Sequence, residues 1–153
     1  MKLAEALAER SDCQRRIEEL KKRMARSARV QEGEQPAEDP TLLLAEVEAT
    51  FSRLQELVSS INRTNARTPF NGNLSISDAI AERDATGKKR DLYAGVADAA
   101  STRQDRYSKS EVKFFATIPI TDLQRRVDDL SKHFRELDYE IARTQLEHRT
   151  RLR

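Results

Sequence analysis

Apolar side chains recur at alternating steps of three and four residues through three long stretches of this chain, and that spacing constrains its fold more than any other feature. In the first stretch, Leu3, Arg10, Ile17 and Met24 share one heptad position, and Ala6, Cys13, Leu20 and Ser27 share the other. The second carries Leu44, Val47, Phe51, Leu54, Val58, Ile61 and Asn65. The third carries Leu123, Val127, Leu130, Phe134, Leu137, Ile141, Thr144 and His148. Each pattern predicts an amphipathic helix about 40 Å long. Apolar residues make up 37% of the 153, so a large spherical core is not expected.

Proline and glycine mark the joints. The connection from Val30 to Pro40 holds Glu32, Glu34, Glu38 and Asp39 and can attract the Lys- and Arg-rich first helix. Asp39-Pro40 reads as an N-cap followed by proline at the first helical position. Thr68, Pro69, Asn71 and Gly72 end the second helix, and Ser77-Asp78 opens a weaker third one. Gly87 and Gly95 each cost about 1 kcal/mol inside that helix. They predict either a break near Gly87 or the close approach of a neighbouring backbone, while Asp84 and Asp91 fall near the face of Ile80. Thr121-Asp122-Leu123-Gln124 fits a capping box and places the start of the last helix at Asp122. Between Glu111 and Ile118 the period changes to two, with Val112, Phe114, Ala116 and Ile118 on one side, which predicts a strand. Its partner would be the segment from Asn73 to Ile76 or the same strand in another subunit.

The expected fold is therefore mainly α, with long antiparallel helices in a coiled-coil-like bundle and one short strand or hairpin near 111–118. Helices are expected at about 2–28, 40–66, 77–101 and 122–148, within a single elongated domain spanning 1–153. Narrow seams bury little in one copy, so a homo-oligomer is expected.

Charge narrows the function classes. The 28 Lys and Arg nearly balance 26 Asp and Glu, and the resulting net charge of +2 argues against a dedicated nucleic-acid binder. The longest apolar run, Leu42 to Ala45, is far short of the ~20 residues of a membrane-spanning helix. No apolar leader follows Met1, and the lone Cys13 cannot form an internal disulfide, so the cytoplasm is the expected address.

Catalytic and metal chemistry find little support in the residue pattern. His133 and His148 stand about 22 Å apart along one predicted helix, too far to share an ion. Cys13 sits on a seam, as an inert buried thiol does. Gly87-Lys88-Lys89 lacks the earlier glycine and the following Ser or Thr of a phosphate-binding loop. No catalytic residue, metal or cofactor is expected. Arg10 and Asn65 interrupt apolar seams, where polar residues set register and partner number. A second group, Asn62, Arg63, Asn65, Arg83, Asp84, Arg106 and Tyr107, would gather at one end of the bundle if the second and third helices form a hairpin. Guanidinium forks and amides there can hold an anionic ligand such as a phosphate.

Several separated segments carry a family resemblance. Met1-Lys2-Leu3-Ala4-Glu5-Ala6-Leu7, Ala28-Arg29-Val30-Gln31-Glu32-Gly33-Glu34, Glu38-Asp39-Pro40, Ile61-Asn62-Arg63-Thr64-Asn65, Arg83-Asp84, Arg106-Tyr107 and Leu137-Asp138 together resemble the septicolysin-type family of small bacterial proteins. The resemblance implies a cytolysin and brings no established catalytic residues. Three functions are thus in play: a non-enzymatic, self-assembling helical protein in a structural or interaction role; a module binding a phosphate ligand or nucleic acid through the polar group; and a septicolysin-like cytolysin.

Overall fold

A computed structural model describes residues 1–101 and 113–148. The fold is mainly α, with helices α1 (Leu3–Ser27), α2 (Pro40–Arg67), α3 (Ile76–Ser101) and α4 (Ile120–Glu147). A two-stranded sheet of β1 (Pro69–Asn71) and β2 (Leu74–Ser75) lies between α2 and α3. The chain divides into two compact units, Met1–Pro69 with Thr144–Arg153, and Phe70–Arg143.

Local chemistry sets the helix ends of the first unit. The Lys2 N–H donates to the Glu5 carboxylate at 2.7 Å, so a first-turn acid satisfies a backbone donor that the helix leaves open. A turn follows α1, closed by the Glu34 N–H donating to the Gln31 carbonyl at 3.0 Å, with Gly33 at φ 85° in its third position. Asp39 caps α2 as its sequence predicts, its carboxylate accepting from the Thr41 N–H at 2.8 Å with Pro40 next in line. At the other end Thr68 is already extended, with ψ 119°, because Pro69 disfavours helical geometry in the residue before it.

α1 and α2 pack against each other in opposite directions. Glu9 pairs with Arg53, Arg16 with Glu46, and Arg23 with Glu38 just before α2, so partner numbers fall as those on α1 rise. Leu3, Ala6 and Leu20 of α1 and Leu43, Leu57 and Ile61 of α2 are buried in this unit. All eight seam positions expected on α1 are buried or half-buried. On α2 the expected seam divides: Ile61 and Asn65 are buried and Val47 and Leu54 half-buried, but Leu44, Phe51 and Val58 are 50%, 48% and 37% exposed, while Leu57, next to Val58, is 0% exposed. The line of Leu44, Phe51 and Val58 is the border of the buried face, and α1 covers the adjoining ridge.

The second unit holds the hairpin from Phe70 onward, α3 and most of α4. Asn71, Gly72, Asn73 and Leu74 make a tight reversal in which Gly72 takes φ 55° and Asn73 does not leave the negative side, the pattern of a type II′ turn that matches strand twist. Ser75 then begins α3 through a reciprocal cap: Asp78 accepts from the Ser75 N–H at 2.8 Å, and the Ser75 hydroxyl accepts from the Asp78 N–H at 3.2 Å. α3 thus starts ahead of the expected Ser77-Asp78.

The strand expected near 111–118 is corrected. Residues 113–118 form no strand, and the β structure is the hairpin at 69–75, where a glycine at positive φ lets two short strands pair locally. Alternation alone provides no hydrogen-bonding partner. Residues 111 and 112 lie outside the described residues. α4 begins at Ile120 rather than Asp122, with the Pro119 carbonyl accepting from the Leu123 N–H at 3.2 Å, so Thr121 sits in the first turn and not at the cap. Its expected seam, Leu123 through His148, is buried or half-buried at every position.

α3 runs unbroken through Gly87. A Cβ there would stand 3.1 Å from Cε2 and 3.3 Å from Cδ2 of Phe134, so the glycine admits an aromatic ring and not a neighbouring backbone. Asp84 and Asp91 remain exposed because the face turned inward carries Ala79, Thr86 and Gly87 instead. Gly95 is different: it is exposed and a Cβ would meet nothing within 4 Å. Gly95→Ala is therefore expected to raise unfolding stability by about 0.5–1 kcal/mol, seen as a higher urea midpoint with unchanged slope.

Candidate functional site

Polar side chains concentrate in two places, one in each unit. In the first unit Glu9, Arg16 and Arg23 repeat every seven residues beside the α1 seam, and each reaches an opposite charge across the helix pair. Arg53 grips Glu9 with a fork, Nε to Oε1 at 2.7 Å and an Nη to Oε2 at 2.9 Å. Arg16 Nε meets Glu46 at 2.7 Å, and Arg23 Nε meets both oxygens of Glu38 at 3.0 and 3.2 Å. These side chains are a quarter or more exposed, so water screens each pair and leaves it little net stabilisation. Their larger effect is on register, since one residue of slippage breaks every rung.

The rungs also fix an acid dependence. Hydrogen bonding to Arg53 holds the Glu9 carboxyl below the usual carboxylate range, and hydrogen bonding to Arg23 does the same for Glu38. In the second unit the Ser75 backbone and then its hydroxyl lower Asp78 in the same way. Groups with lowered folded values bind fewer protons folded than unfolded. Their stabilisation is complete above the ordinary carboxylate values near pH 4 and is lost as pH falls through the folded values. The urea midpoint is expected to hold from about pH 7 to 5 and to drop below about pH 4, more shallowly in Glu9→Gln. An acid limb of equal steepness in that variant would remove Glu9 from the account.

The terminal segment of the first unit meets the ends of the helix pair. The Leu3 N–H donates to the His148 carbonyl at 2.9 Å, and Gln145 Nε2 donates to Asn65 Oδ1 at 3.3 Å. Asn65, expected to set register between seams, is buried and finds its partner within the same chain. Arg10 is half-buried on α1, and its Nε has no hydrogen-bond partner among the described residues. Cys13 is half-buried; burial, and next the Glu9 charge, push its thiol above the usual range and disfavour the thiolate.

The polar group expected to hold an anion is divided between the units. Asn62, Arg63 and Asn65 belong to the first. Asn62 is exposed, and Arg63 donates to the hydroxyls of Ser59 at 2.9 Å and Ser60 at 3.1 Å. Arg83 and Asp84 belong to the second, while Arg106 and Tyr107 lie outside the described residues. Arg83 donates to Asp84 at 2.9 and 3.0 Å and to Asp138 at 2.9 Å. Burial works against its charge, and the two carboxylates more than compensate. That guanidinium is engaged from both sides and offers little to a phosphate.

Sequence reasoning missed three members of this second array. His133 Nε2 lies 2.8 Å from Glu82, Asp138 closes on Arg83, and the Arg90 guanidinium stands 5.2 Å from the centre of the Phe134 ring. Each contact joins residues more than forty positions apart, which periodicity cannot reveal. The rungs beside α1 were more accessible, since charges spaced by seven next to an apolar seam are a recognisable signal. Among the described residues no group of three or more His, Cys, Asp or Glu could hold a metal ion, and no helix is long and apolar enough to cross a membrane.

Comparison with known proteins gives the chain relatives without giving it an activity. No curated protein matches it. A crystal structure described as that of a functionally unknown conserved protein from Corynebacterium diphtheriae is 44% identical, covers 99% of both chains and has a TM-score of 0.91. The septicolysin resemblance is overturned, because the family model that matches, over residues 10–149, is a different one. By that match the chain belongs to the family of unknown function DUF6847.

Proposed function

We propose that this chain is a non-enzymatic helical protein that self-associates in a coiled-coil-like manner and serves a structural or interaction role. The observation that carries this is the amount of large apolar surface left in water. Leu44 and Phe51 are half exposed on α2, and Phe114 and Phe115 are 79% and 82% exposed before α4. Single exposed apolar residues need no explanation, but a line of them along one helix does. Covering that line with a second molecule recovers roughly 25 cal/mol for each Å² of apolar area removed from water.

The test is the mass in solution. Sedimentation equilibrium from about 1 µM to about 1 mM should show a weight-average mass rising to a multiple of one chain, a range suited to modest interfaces. A mass that stays at one chain throughout would end the proposal.

A further inference from the structure

Leu44, Phe51 and Val58 are separated by seven residues each, so they form one line along α2 with steps of about 10 Å and with Phe51 at its midpoint. Half-buried Val47 and Leu54 border the line on the side facing α1, and exposed Glu48 and Gln55 border the other. A line with an aromatic at its centre and an aliphatic at equal distance on either side is complementary to its own reverse. Two such helices laid in opposite directions set Phe51 on Phe51 and each Leu44 on a Val58.

Charge along α2 favours the same direction. From Glu38 to Ser52 the segment carries Glu38, Asp39, Glu46 and Glu48 and no Lys or Arg. From Leu57 to Thr68 it carries Arg63 and Arg67 and no acid. Opposed helices lay the basic end of one on the acidic end of the other, whereas parallel helices would stack acid on acid and base on base. Arg63 is exposed and meets the hydroxyls of Ser59 and Ser60, and Glu48 is exposed, so both can reach a second chain.

Resting on the self-association proposed above, we propose that two copies of this chain pair through α2 in antiparallel register about a two-fold axis at Phe51, with Leu44 of each copy seated against Val58 of the other. The contact is isologous and closes at two chains. Two rings meeting on the axis can adopt the offset geometry that aromatic pairs prefer.

Two measurements on the full chain test this. In sedimentation equilibrium, Phe51→Asp is expected to weaken dimerisation at least tenfold while leaving the helical circular dichroism unchanged, since the side chain is half exposed. If that variant loses helix, Phe51→Ala is read instead with the same expectation in direction. A wild type that never exceeds one chain's mass would overturn both this inference and self-association itself. A wild type that associates as strongly as Phe51→Asp would overturn only the α2 interface, and another surface would carry assembly.

Register is tested by oxidation in a Cys13→Ala background, because a disulfide needs Cα atoms within about 7 Å. Phe51→Cys is expected to form a covalent dimer by itself. Leu44→Cys alone and Val58→Cys alone should remain single chains, and their mixture should give the crossed dimer. Self-linking of Leu44→Cys without a crossed product would establish a parallel pair and overturn the proposal. If Phe51→Asp changes the sedimentation coefficient of a single-chain wild type, the stripe is covered by another part of the same molecule and the proposal fails.

Discussion

Leu57→Ala is expected to lower the unfolding free energy by about 2–5 kcal/mol, while Val58→Ala, one residue further on, costs less than about 1 kcal/mol. The two residues are both apolar, both central in α2 and both in good helical geometry, so propensity does not separate them. Burial does: Leu57 is fully enclosed, and Val58 is more than a third exposed. Truncating Leu57 forfeits the transfer energy of its removed carbons and leaves a cavity between α1 and α2 that the long helices cannot close without breaking the ion-pair rungs beside it. Truncating Val58 removes carbons already in contact with water. Urea unfolding followed by circular dichroism reads the difference directly. Equal costs at the two positions would mean that the buried ridge is the stripe 44–51–58 read from sequence, and not the ridge through Leu43 and Leu57.

Gly87→Leu is expected to cost about 1–3 kcal/mol despite introducing a better helix former. Replacing glycine inside a helix gains up to ~1 kcal/mol, but the first added carbon would already press on the Phe134 ring at 3.1 Å. The remaining carbons of leucine have no room unless that ring leaves. It is held by the Arg90 guanidinium over its face, in the range where a cation and an aromatic attract. The diagnostic is a double-mutant cycle. In a Phe134→Ala background the cost of Gly87→Leu should shrink by about 1 kcal/mol or more, since the substituted leucine then fills the space the ring vacated. Additive costs would show that Gly87 and Phe134 do not share that space. The contrast with Gly95→Ala, expected to stabilise, separates a glycine kept for space from one that merely weakens its helix.

The candidate site was legible only in part. Asp39 and Pro40 announced the start of α2, and Asn65 stood out as a polar residue on a seam that the structure does bury. Arg83 was read as one of the groups that could hold an anion, and in the structure its guanidinium is bonded to Asp84 and Asp138. No local pattern marks Asp138 as the residue that meets it, because that contact depends on how α3 and α4 are set side by side. The same holds for His133, which is exposed and meets Glu82 from fifty-one residues away.

The approximate helix positions, and the start of α2 at Asp39-Pro40, followed from the sequence by itself, because capping, proline stereochemistry and apolar spacing act within about four residues and need no knowledge of the rest of the chain. Only the tertiary structure decided which of two adjacent apolar ridges on α2 is covered, why α3 keeps Gly87, and where β pairing forms among the described residues. A helix with two apolar ridges about 100° apart can bury either one, and the choice belongs to the partner surface that packs against it. A strand likewise exists only where a second strand satisfies it, which Gly72 makes possible at 69–75 and alternation without a partner does not at 113–118.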